Sequence, residues 1–224
     1  MSTRPISSAT PPFIRFFAWF LRVFFHLLYH QFSWAYDLVA WVVSIGRWKE
    51  WVLSALPYLT GPDVLEIGHG PGHLQIALNQ SGISGFGLDE SKQMGHQAQR
   101  RLNRQGYCPR LINGLSQHLP FPNNRFSQVV STFPSEYIFD PQTLAEIYRV
   151  LIPGGNAIIL PWAWITGDRS LDRAAAWLFR VTGETPVWDD HLLEPARTAG
   201  FSVSSEAVNL ASSRLLFLHL RKPL

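Results

Sequence analysis

Cysteine and metal-binding spacings are almost absent from this chain. Its 224 residues include one cysteine, Cys108, which excludes an internal disulfide and fits a reducing compartment. The eight histidines include no pair with the H-E-x-x-H spacing of a zinc site. We therefore expect neither a disulfide scaffold nor a metal site.

Charged residues are also scarce, at 16% of the chain with a formal net charge of +3, below the roughly 25% of typical soluble domains. Arg100, Arg101 and Arg104 cluster on one predicted helix. A nucleic-acid enzyme usually carries a longer basic face with interleaved aromatic residues, so the composition disfavours nucleic acid as a partner. The cluster is then either a solvated helix surface or a contact with an anionic membrane.

The amino-terminal segment is, by contrast, rich in aromatic residues. Its composition predicts a disordered tail over residues 1–12 and a helix over Phe13–Phe32. This helix has a wide apolar face and a narrow basic stripe, the pattern of a helix lying in a membrane interface. Arg22 near its centre disfavours a transmembrane span. The alternative is a hydrophobic lid that packs on the rest of the protein. The stripe consists of Arg15, Arg22, His26 and His30.

A second helix is predicted over Ser33–Leu56. It carries Trp34, Trp41 and Trp48 seven residues apart, so the three indoles share one face. A stripe of this kind is more often core than binding surface. We group residues 13–56 as amino-terminal helices that precede a single domain over 57–224.

The most informative stretch is a glycine-rich turn between a strand and a helix. An apolar strand ends near Glu66, Gly68, Gly70 and Gly72 follow at alternate positions, and a helix begins at His73. Glycine tolerates positive φ and has no Cβ, so a ligand can lie against bare backbone beside the unpaired N–H groups of the helix. His73 stands where a dinucleotide-binding G-x-G-x-x-G would have its last glycine. This spacing argues against NAD and for another nucleoside cofactor.

A second predicted strand, Ser84–Asp89, also ends in an acid. Asp89 follows the glycines by about 20 residues, where a nucleoside-binding α/β unit grips a ribose. A carboxylate can accept hydrogen bonds from both ribose hydroxyls. Asp89 is therefore the expected ribose ligand.

The glycine turn resembles motif I of the class I S-adenosylmethionine-dependent methyltransferases. Two later stretches support the resemblance, because Leu119–Phe126 resembles the family's LPFPDNSFD stretch and Glu146–Gly155 its E-x-x-RVL-x-PGG pattern. The resemblance covers residues 34–220 and is nearest to the quinone and small-molecule methyltransferases. Two positions depart from the pattern. Leu115 stands where an acid often reaches the adenine amino group, and Ser127 replaces the aspartate of the FD pair.

The order of the predicted elements indicates an α/β fold. Helices alternate with strands, which gives a parallel sheet covered on both faces, and the last two strands are joined too closely for a crossover, so they should pair antiparallel. The resemblance implies the same architecture: a Rossmann-like doubly wound seven-stranded sheet with an antiparallel last strand, plus amino-terminal helices. The strands are predicted near 63–68, 84–89, 110–113, 127–132, 156–161, 201–208 and 214–220.

The resemblance implies S-adenosylmethionine as the cofactor. Glu66 would help to hold its amino acid end and Asp89 its ribose, while Tyr36 would close over it as the family's YD tyrosine. Adenine recognition would fall to backbone, or to Ser116 and Gln117. The expected cofactor-binding residues are Tyr36, Glu66, Gly68, His69, Gly70, Gly72, Leu88, Asp89, Glu90, Met94, Leu115, Ser116 and Phe133.

Methyl transfer from a sulfonium needs aligned reactants and a dry site rather than a nucleophilic side chain. A base assists an oxygen, nitrogen or activated carbon acceptor. Glu136 and Tyr137, just after the fourth predicted strand, are the candidate general bases, although Glu136 could equally cap the next helix or pair with an arginine. The other substrate-side residues are expected after the fourth strand at Phe133, Pro134 and Ser135, and after the fifth strand at Trp162, Trp164 and Thr166.

These features predict S-adenosylmethionine-dependent methyl transfer to a small lipophilic acceptor, such as a quinone precursor or a lipid. The enzyme would be cytoplasmic, with peripheral membrane contact through residues 13–32. One alternative is a catalytically silent methyltransferase-like protein that binds at a membrane surface. A short-chain oxidoreductase is disfavoured, because its Y-x-x-x-K pair would need a lysine where Pro141 stands, four residues after Tyr137.

Overall fold

The computed structural model describes residue 44, residues 46–167 and residues 193–224. Some sequence-based predictions lie outside these residues. They concern the tail 1–12, the helix 13–32, Tyr36, and the part of the second helix that precedes residue 44.

A single seven-stranded sheet organises the described residues. Its strands in chain order are β1 (Asp63–Ile67), β2 (Ser84–Asp89), β3 (Leu111–Asn113), β4 (Phe126–Thr132), β5 (Leu151–Ile165), β6 (Ser202–Leu210) and β7 (Ser213–Arg221). Their order across the sheet is β3-β2-β1-β4-β5-β7-β6. The first five strands are parallel, and β7 runs antiparallel to both β5 and β6. The predicted doubly wound fold with a reversed last strand is confirmed.

Helices connect most of the parallel strands. Those described are α1 (Trp48–Leu53), α2 (His73–Gln80), α3 (Lys92–Arg104), α4 (Pro141–Val150) and α5 (Glu194–Thr198), with short 3-10 helices at Leu56–Tyr58 and Glu136–Phe139. Side-chain caps start two of them: the Ser91 hydroxyl accepts the Met94 N–H before α3, and the Asp140 carboxylate accepts the Gln142 N–H before α4. Within the described ranges, no helix combines the length and apolar character that crossing a bilayer requires.

The core forms two layers, one on each face of the sheet. Successive strand residues point to opposite faces, so Val64 of β1 packs in the layer of α1 and α2, and Leu65 in the layer of α4. Four of the five β1 residues are buried, as expected for a strand covered on both sides.

The strand order also creates a crevice at the carboxyl end of β1. From β1 the chain passes to β2 and β3 on one side, and then to β4 and β5 on the other. Ligands of open α/β sheets bind at such a switch point, outside the carboxyl ends of the strands.

β5 is longer than the predicted strand 156–161, because it includes the Pro-Gly-Gly segment and also continues to Ile165. Gly154, at φ +76°, donates its N–H to the carbonyl oxygens of Lys222 (3.1 Å) and Pro223 (3.3 Å), so this segment is held by the chain after β7. The buried Lys222 ammonium group donates to Asn124 Oδ1 and to the carbonyl oxygens of Tyr148 and Leu151, at 2.7–2.9 Å. At its other end β5 continues past Leu160, the last residue that pairs with β4, and remains paired with β7.

Candidate active site

The glycine turn forms the floor of the site. Gly68, Gly70 and Gly72 have φ angles of +73°, +51° and +85°, which side chains other than glycine rarely adopt. A Cβ on Gly72 would lie 2.8 Å from the Ala98 Cβ, so this glycine also lets α2 start close against α3. A Cβ on Gly70 would meet no atom within 4 Å. The backbone at Gly70 is therefore open to a ligand.

Asp89 joins the end of β2 to this turn. Its Oδ2 accepts the Gly70 N–H and its Oδ1 accepts the Ser91 N–H, both at 2.8 Å. Each carboxylate oxygen has a second lone-pair site, so both can also accept a hydroxyl from a ligand. The acid that the sequence predicts as a ribose ligand thus also fixes the turn over which the ribose would lie.

A cavity of about 340 Å³ opens above Asp89 and the turn, at the carboxyl ends of β2, β1 and β4. This volume is typical of small-molecule sites. The residues predicted from the sequence that line it are Gly68, Gly70, Leu88, Asp89, Glu90, Met94, Leu115, Ser116, Gln117, Phe133, Pro134, Ser135 and Tyr137.

The lining is mostly apolar where adenine is expected. Leu88 and Met94 are buried beneath the cavity wall, whereas Leu115 is 47% exposed, which is unusual for a large apolar side chain. The Ser116 hydroxyl lies 3.0 Å from the Thr143 hydroxyl, and Gln117 donates to Asp140 Oδ2 at 3.2 Å. Both polar side chains are thus tied to the start of α4.

Glu66 lies beneath the turn and does not line the cavity. It is 1% exposed, and its Oε2 accepts a hydrogen bond from Gln75 Nε2 of α2 at 2.8 Å. The same Gln75 amide donates to the Phe86 carbonyl oxygen of β2 at 3.2 Å. Burial raises the pKa of Glu66 to about 8, and the nearby Asp89 charge adds to the rise. The Glu66–Gln75 pair therefore links β1, α2 and β2 directly under the glycine turn.

His69 also turns away from the cavity. Its Nδ1 lies 2.7 Å from the Gly70 carbonyl oxygen and its ring packs on Gly87, where a Cβ would come within 2.8 Å of Cδ2. Burial lowers the pKa of the imidazole. His69 instead borders a second depression of about 300 Å³ between α3 and β3, beside Lys92 and His96.

The two candidate bases have different environments. Glu136 begins the 3-10 helix after β4, is exposed and does not line the cavity. Tyr137 lines the cavity, and its hydroxyl stands over Gly68, where a Cβ would collide with it. Of the two, Tyr137 is in reach of a reaction above the glycine turn.

Phe133, the first residue after β4, has a strained backbone. Its φ is +51°, a left-handed conformation that costs a non-glycine residue roughly 1–3 kcal/mol. Its N–H donates to the Leu160 carbonyl oxygen at 2.7 Å, and its ring centroid lies 4.5 Å from that of Trp48 and 6.0 Å from that of Trp51. Residue 48, which the sequence assigns to a helical stripe, is thus brought to the edge of the cavity.

Sequence reasoning missed two lining residues in loops, Ser91 and Gly114. Their only signal is position, because each lies in a loop just after a strand whose end borders the site. No group of His, Cys, Asp and Glu side chains in the described part of the chain could hold a metal ion.

The two signature stretches of the sequence meet beside the site. The Glu146 carboxylate accepts the Leu119 N–H at 2.7 Å and two guanidinium N–H groups of Arg149 at 2.6 and 2.7 Å. Arg149 in turn donates to the carbonyl oxygens of Phe121 (2.7 Å) and Leu119 (3.0 Å). Hydrogen bonds and the guanidinium charge lower the pKa of Glu146. The α4 pair therefore fixes the loop that leads from the cavity into β4.

Comparisons with known proteins agree with this geometry. Residues 64–155 match a family described as a methyltransferase domain. A demethylmenaquinone methyltransferase of Geobacillus sp. strain WCH70 is 32% identical over 143 residues, which cover 60% of this chain and 61% of the relative. The uncharacterized methyltransferase YdaC of Bacillus subtilis is 34% identical over 116 residues, covering 50% and 62%. The chain thus spans about three fifths of the length of these curated relatives.

The fold has solved counterparts. Phosphoethanolamine N-methyltransferase 2 of Haemonchus contortus, in complex with phosphomonomethylethanolamine and S-adenosylhomocysteine, matches with a TM-score of 0.58 at 19% identity. The match covers 80% of this chain and 53% of that one, and at this identity it concerns the fold. Together these matches confirm the resemblance to the class I S-adenosylmethionine-dependent methyltransferases.

Proposed function

We propose that this chain, whose residues 64–155 match a methyltransferase domain, transfers a methyl group from S-adenosylmethionine to a small lipophilic acceptor. One observation carries the proposal. The open backbone of Gly70 is fixed by the Asp89 carboxylate at the switch point of the sheet, and a cavity of about 340 Å³ extends from there to the end of β4.

The residues present fit the cofactor. Asp89 offers lone pairs to two ribose hydroxyls, and Leu88, Met94 and Leu115 offer apolar surface to adenine. Gly70 leaves room for the nucleoside against the backbone. When bound, S-adenosylmethionine supplies an electrophilic methyl group on a sulfonium, so the protein's task is alignment and exclusion of water.

Tyr137, in its phenolate form, is the proposed proton acceptor, and its side chain also closes the site over Gly68. For a quinol acceptor, a base that takes the proton of a ring hydroxyl raises the electron density of the adjacent carbon. Glu66 supports the turn from below rather than touching the acceptor.

A reduced quinone ring is the acceptor that we favour. The curated relatives include demethylmenaquinone methyltransferases, and the β4 end of the cavity is lined by Phe133, Pro134 and Tyr137. A ring that is apolar on its faces and carries hydroxyls at its edge suits this lining. Phospholipid head groups lack such a ring, which makes them the weaker candidate.

The proposal is tested first by calorimetric titration with S-adenosylmethionine, S-adenosylhomocysteine and NADH. We expect micromolar binding of the two adenosyl compounds and none of NADH. Asp89→Asn should weaken S-adenosylhomocysteine binding at least tenfold, because the amide loses one acceptor site and its contact to the turn. The control is Asp63→Asn, the same chemical change at the first residue of β1, which does not line the cavity. Equal effects of the two substitutions would contradict the ribose assignment.

Methyl transfer is then measured with radiolabelled S-adenosylmethionine and a short-prenyl naphthoquinol. Tyr137→Phe should lower kcat about 10²-fold, within the usual range for loss of a general base. Glu136→Gln should change kcat less than twofold, since its side chain is exposed outside the cavity. The reverse ranking would assign the base to Glu136. Cofactor binding without transfer to any acceptor would favour the catalytically silent alternative.

A further inference from the structure

The backbone of Phe133 is held in a conformation that neither the residue nor its neighbour favours. Within the described residues only Asn124 shares a positive φ without being glycine, and asparagine tolerates it better than phenylalanine does. Pro134 follows, and a residue before proline favours extended backbone. A glycine would adopt this φ freely. The strain therefore indicates that a ring is required at this point of the cavity wall.

The amino-terminal part of the described chain holds that ring in place. The Trp48 ring lies 4.5 Å from the Phe133 ring between centroids, tilted by 33°, and the Trp51 ring lies 6.0 Å from it. Trp51 is buried, while Phe133 and Trp48 are half-buried. Aromatic pairs at this separation attract each other beyond the area that they bury.

Trp48 is itself anchored from two directions. The backbone N–H of Trp48 donates to the Ser44 hydroxyl at 2.9 Å, and the Nη1 of the preceding Arg47 donates to the Ser212 carbonyl oxygen at 3.2 Å. The same Ser212 oxygen accepts the Thr166 N–H at 3.0 Å. The turn between β6 and β7, the end of β5 and the segment before α1 therefore meet beside Phe133.

We propose that the Phe133 ring is the surface against which the apolar ring of the methyl acceptor packs, and that Trp48 is a positioning residue that acts through Phe133. This inference rests on the proposed function and specifies its acceptor side. Asp89 and the adenine-facing residues occupy the β2 end of the cavity, whereas Phe133 lies at the β4 end, beside Tyr137. An acceptor ring stacked on Phe133 would thus have its hydroxyl edge near the Tyr137 hydroxyl.

The test measures binding of a 2-prenyl-1,4-naphthoquinone, an oxidised ring that needs no turnover, to the protein saturated with S-adenosylhomocysteine. Phe133→Leu keeps an apolar side chain without the ring and should weaken quinone binding about tenfold, which corresponds to about 1.4 kcal/mol, the upper end of an aromatic pair. Trp48→Ala should weaken it by a similar factor, and Trp48→Phe should restore it to within twofold. The affinity of both Trp48 variants for S-adenosylhomocysteine should stay within twofold of the wild-type value.

Two comparisons separate positioning from loss of stability. The double variant Trp48→Ala/Phe133→Leu should bind the quinone no more weakly than Phe133→Leu alone, because Trp48 acts only through Phe133. Tyr58→Leu removes a ring 4.9 Å from Phe217 in the same core layer, outside the cavity lining. This control should lower Tm and leave quinone binding unchanged.

Each other result contradicts the inference. Additive losses in the double variant would show that Trp48 does not act through Phe133, and an equal loss in Tyr58→Leu would reduce the effect to stability. A wild-type protein that binds S-adenosylhomocysteine but no quinone would overturn the ring-docking surface and leave the methyltransferase proposal standing. A wild-type protein that binds neither would overturn both.

Discussion

Glu66 and Asp89 lie near the carboxyl ends of the adjacent strands β1 and β2, one buried in the core and the other at the cavity. Asp89 accepts two backbone N–H groups at the edge of the cavity, whereas Glu66 accepts one side-chain amide in the core. A single neutral hydrogen bond does not replace the hydration of a carboxylate, so burial keeps Glu66 protonated to about pH 8. One acid is therefore presented to a ligand, and the other serves as a neutral link beneath it.

The first prediction concerns stability against pH. Between pH 4.5 and about 8 the unfolded chain loses a Glu66 proton that the folded protein keeps, so the free energy of unfolding falls as pH rises through this window. The contribution is complete below the lower value and is lost above the upper one. Across this window the free energy of unfolding should fall by several kcal/mol in total. Glu66→Gln should remove this pH dependence, as measured by urea unfolding at pH 5 to 8.5.

His69 must be considered in the same experiment, because burial lowers its pKa and gives a slope of opposite sign at acidic pH. It is present in both proteins, so the difference between wild type and Glu66→Gln reports on Glu66. Glu136→Gln, an exposed change of the same chemistry, is the matched control. Parallel pH profiles for wild type and Glu66→Gln would contradict the prediction.

Among the elements, α4 does more than cover one face of the sheet. Its Glu146–Arg149 pair holds the Leu119–Phe121 loop through a backbone N–H and two carbonyl oxygens. Arg149→Met keeps most of the side-chain volume but removes the donor to these two carbonyl oxygens and leaves the Glu146 carboxylate with only the Leu119 N–H. We expect the free energy of unfolding to fall by about 2 kcal/mol.

The control for this change is Arg197→Met in α5. Arg197 and Glu194 have the same three-residue spacing, but the pair is exposed, so its loss should cost less than about 1 kcal/mol. Equal costs for the two variants would mean that the loop contacts of Arg149 add nothing. Urea unfolding at neutral pH measures both.

The elements also differ in how far the sequence predicts them. β1, the glycine turn and β2 are predicted well, because apolar runs, glycine spacing and terminal acids are local signals. The length of β5 is not predicted from the sequence, because the Pro-Gly-Gly segment is held by Lys222 and Pro223, which are far away in the chain. Local patterns carry no information on such partners.

In the site, too, the sequence predicts residues marked by local signals and misses features that depend on distant contacts. The sequence identifies the cavity-lining acid Asp89 but treats Glu136 and Tyr137 alike, since only the 3-10 helix turns one out and the other in. The φ of Phe133 depends on Leu160 and Trp48, which no local rule connects to it. The burial of Glu66 likewise depends on Gln75 and Phe86 from two other elements.

For the whole molecule, the amino-terminal helix 13–32 remains a sequence prediction that experiment can decide. Deleting residues 1–32 should abolish co-sedimentation with vesicles that contain anionic phospholipid, because the basic stripe and the apolar face are both lost. The affinity for S-adenosylhomocysteine should not change, since the deletion retains every lining residue that the structure describes. Unchanged sedimentation after the deletion would contradict the membrane role and favour the lid.

The position of β7 between β5 and β6 has a consequence for biosynthesis. β6 leaves the ribosome before β7, yet of the described strands it pairs with β7 alone. Until β7 arrives, the 15-residue β5 presents an open edge with apolar side chains, a template for pairing with a second nascent chain. The last strand thus ends a window of aggregation risk during synthesis, and a chain truncated before Ser213 is expected to form inclusion bodies rather than a smaller folded domain.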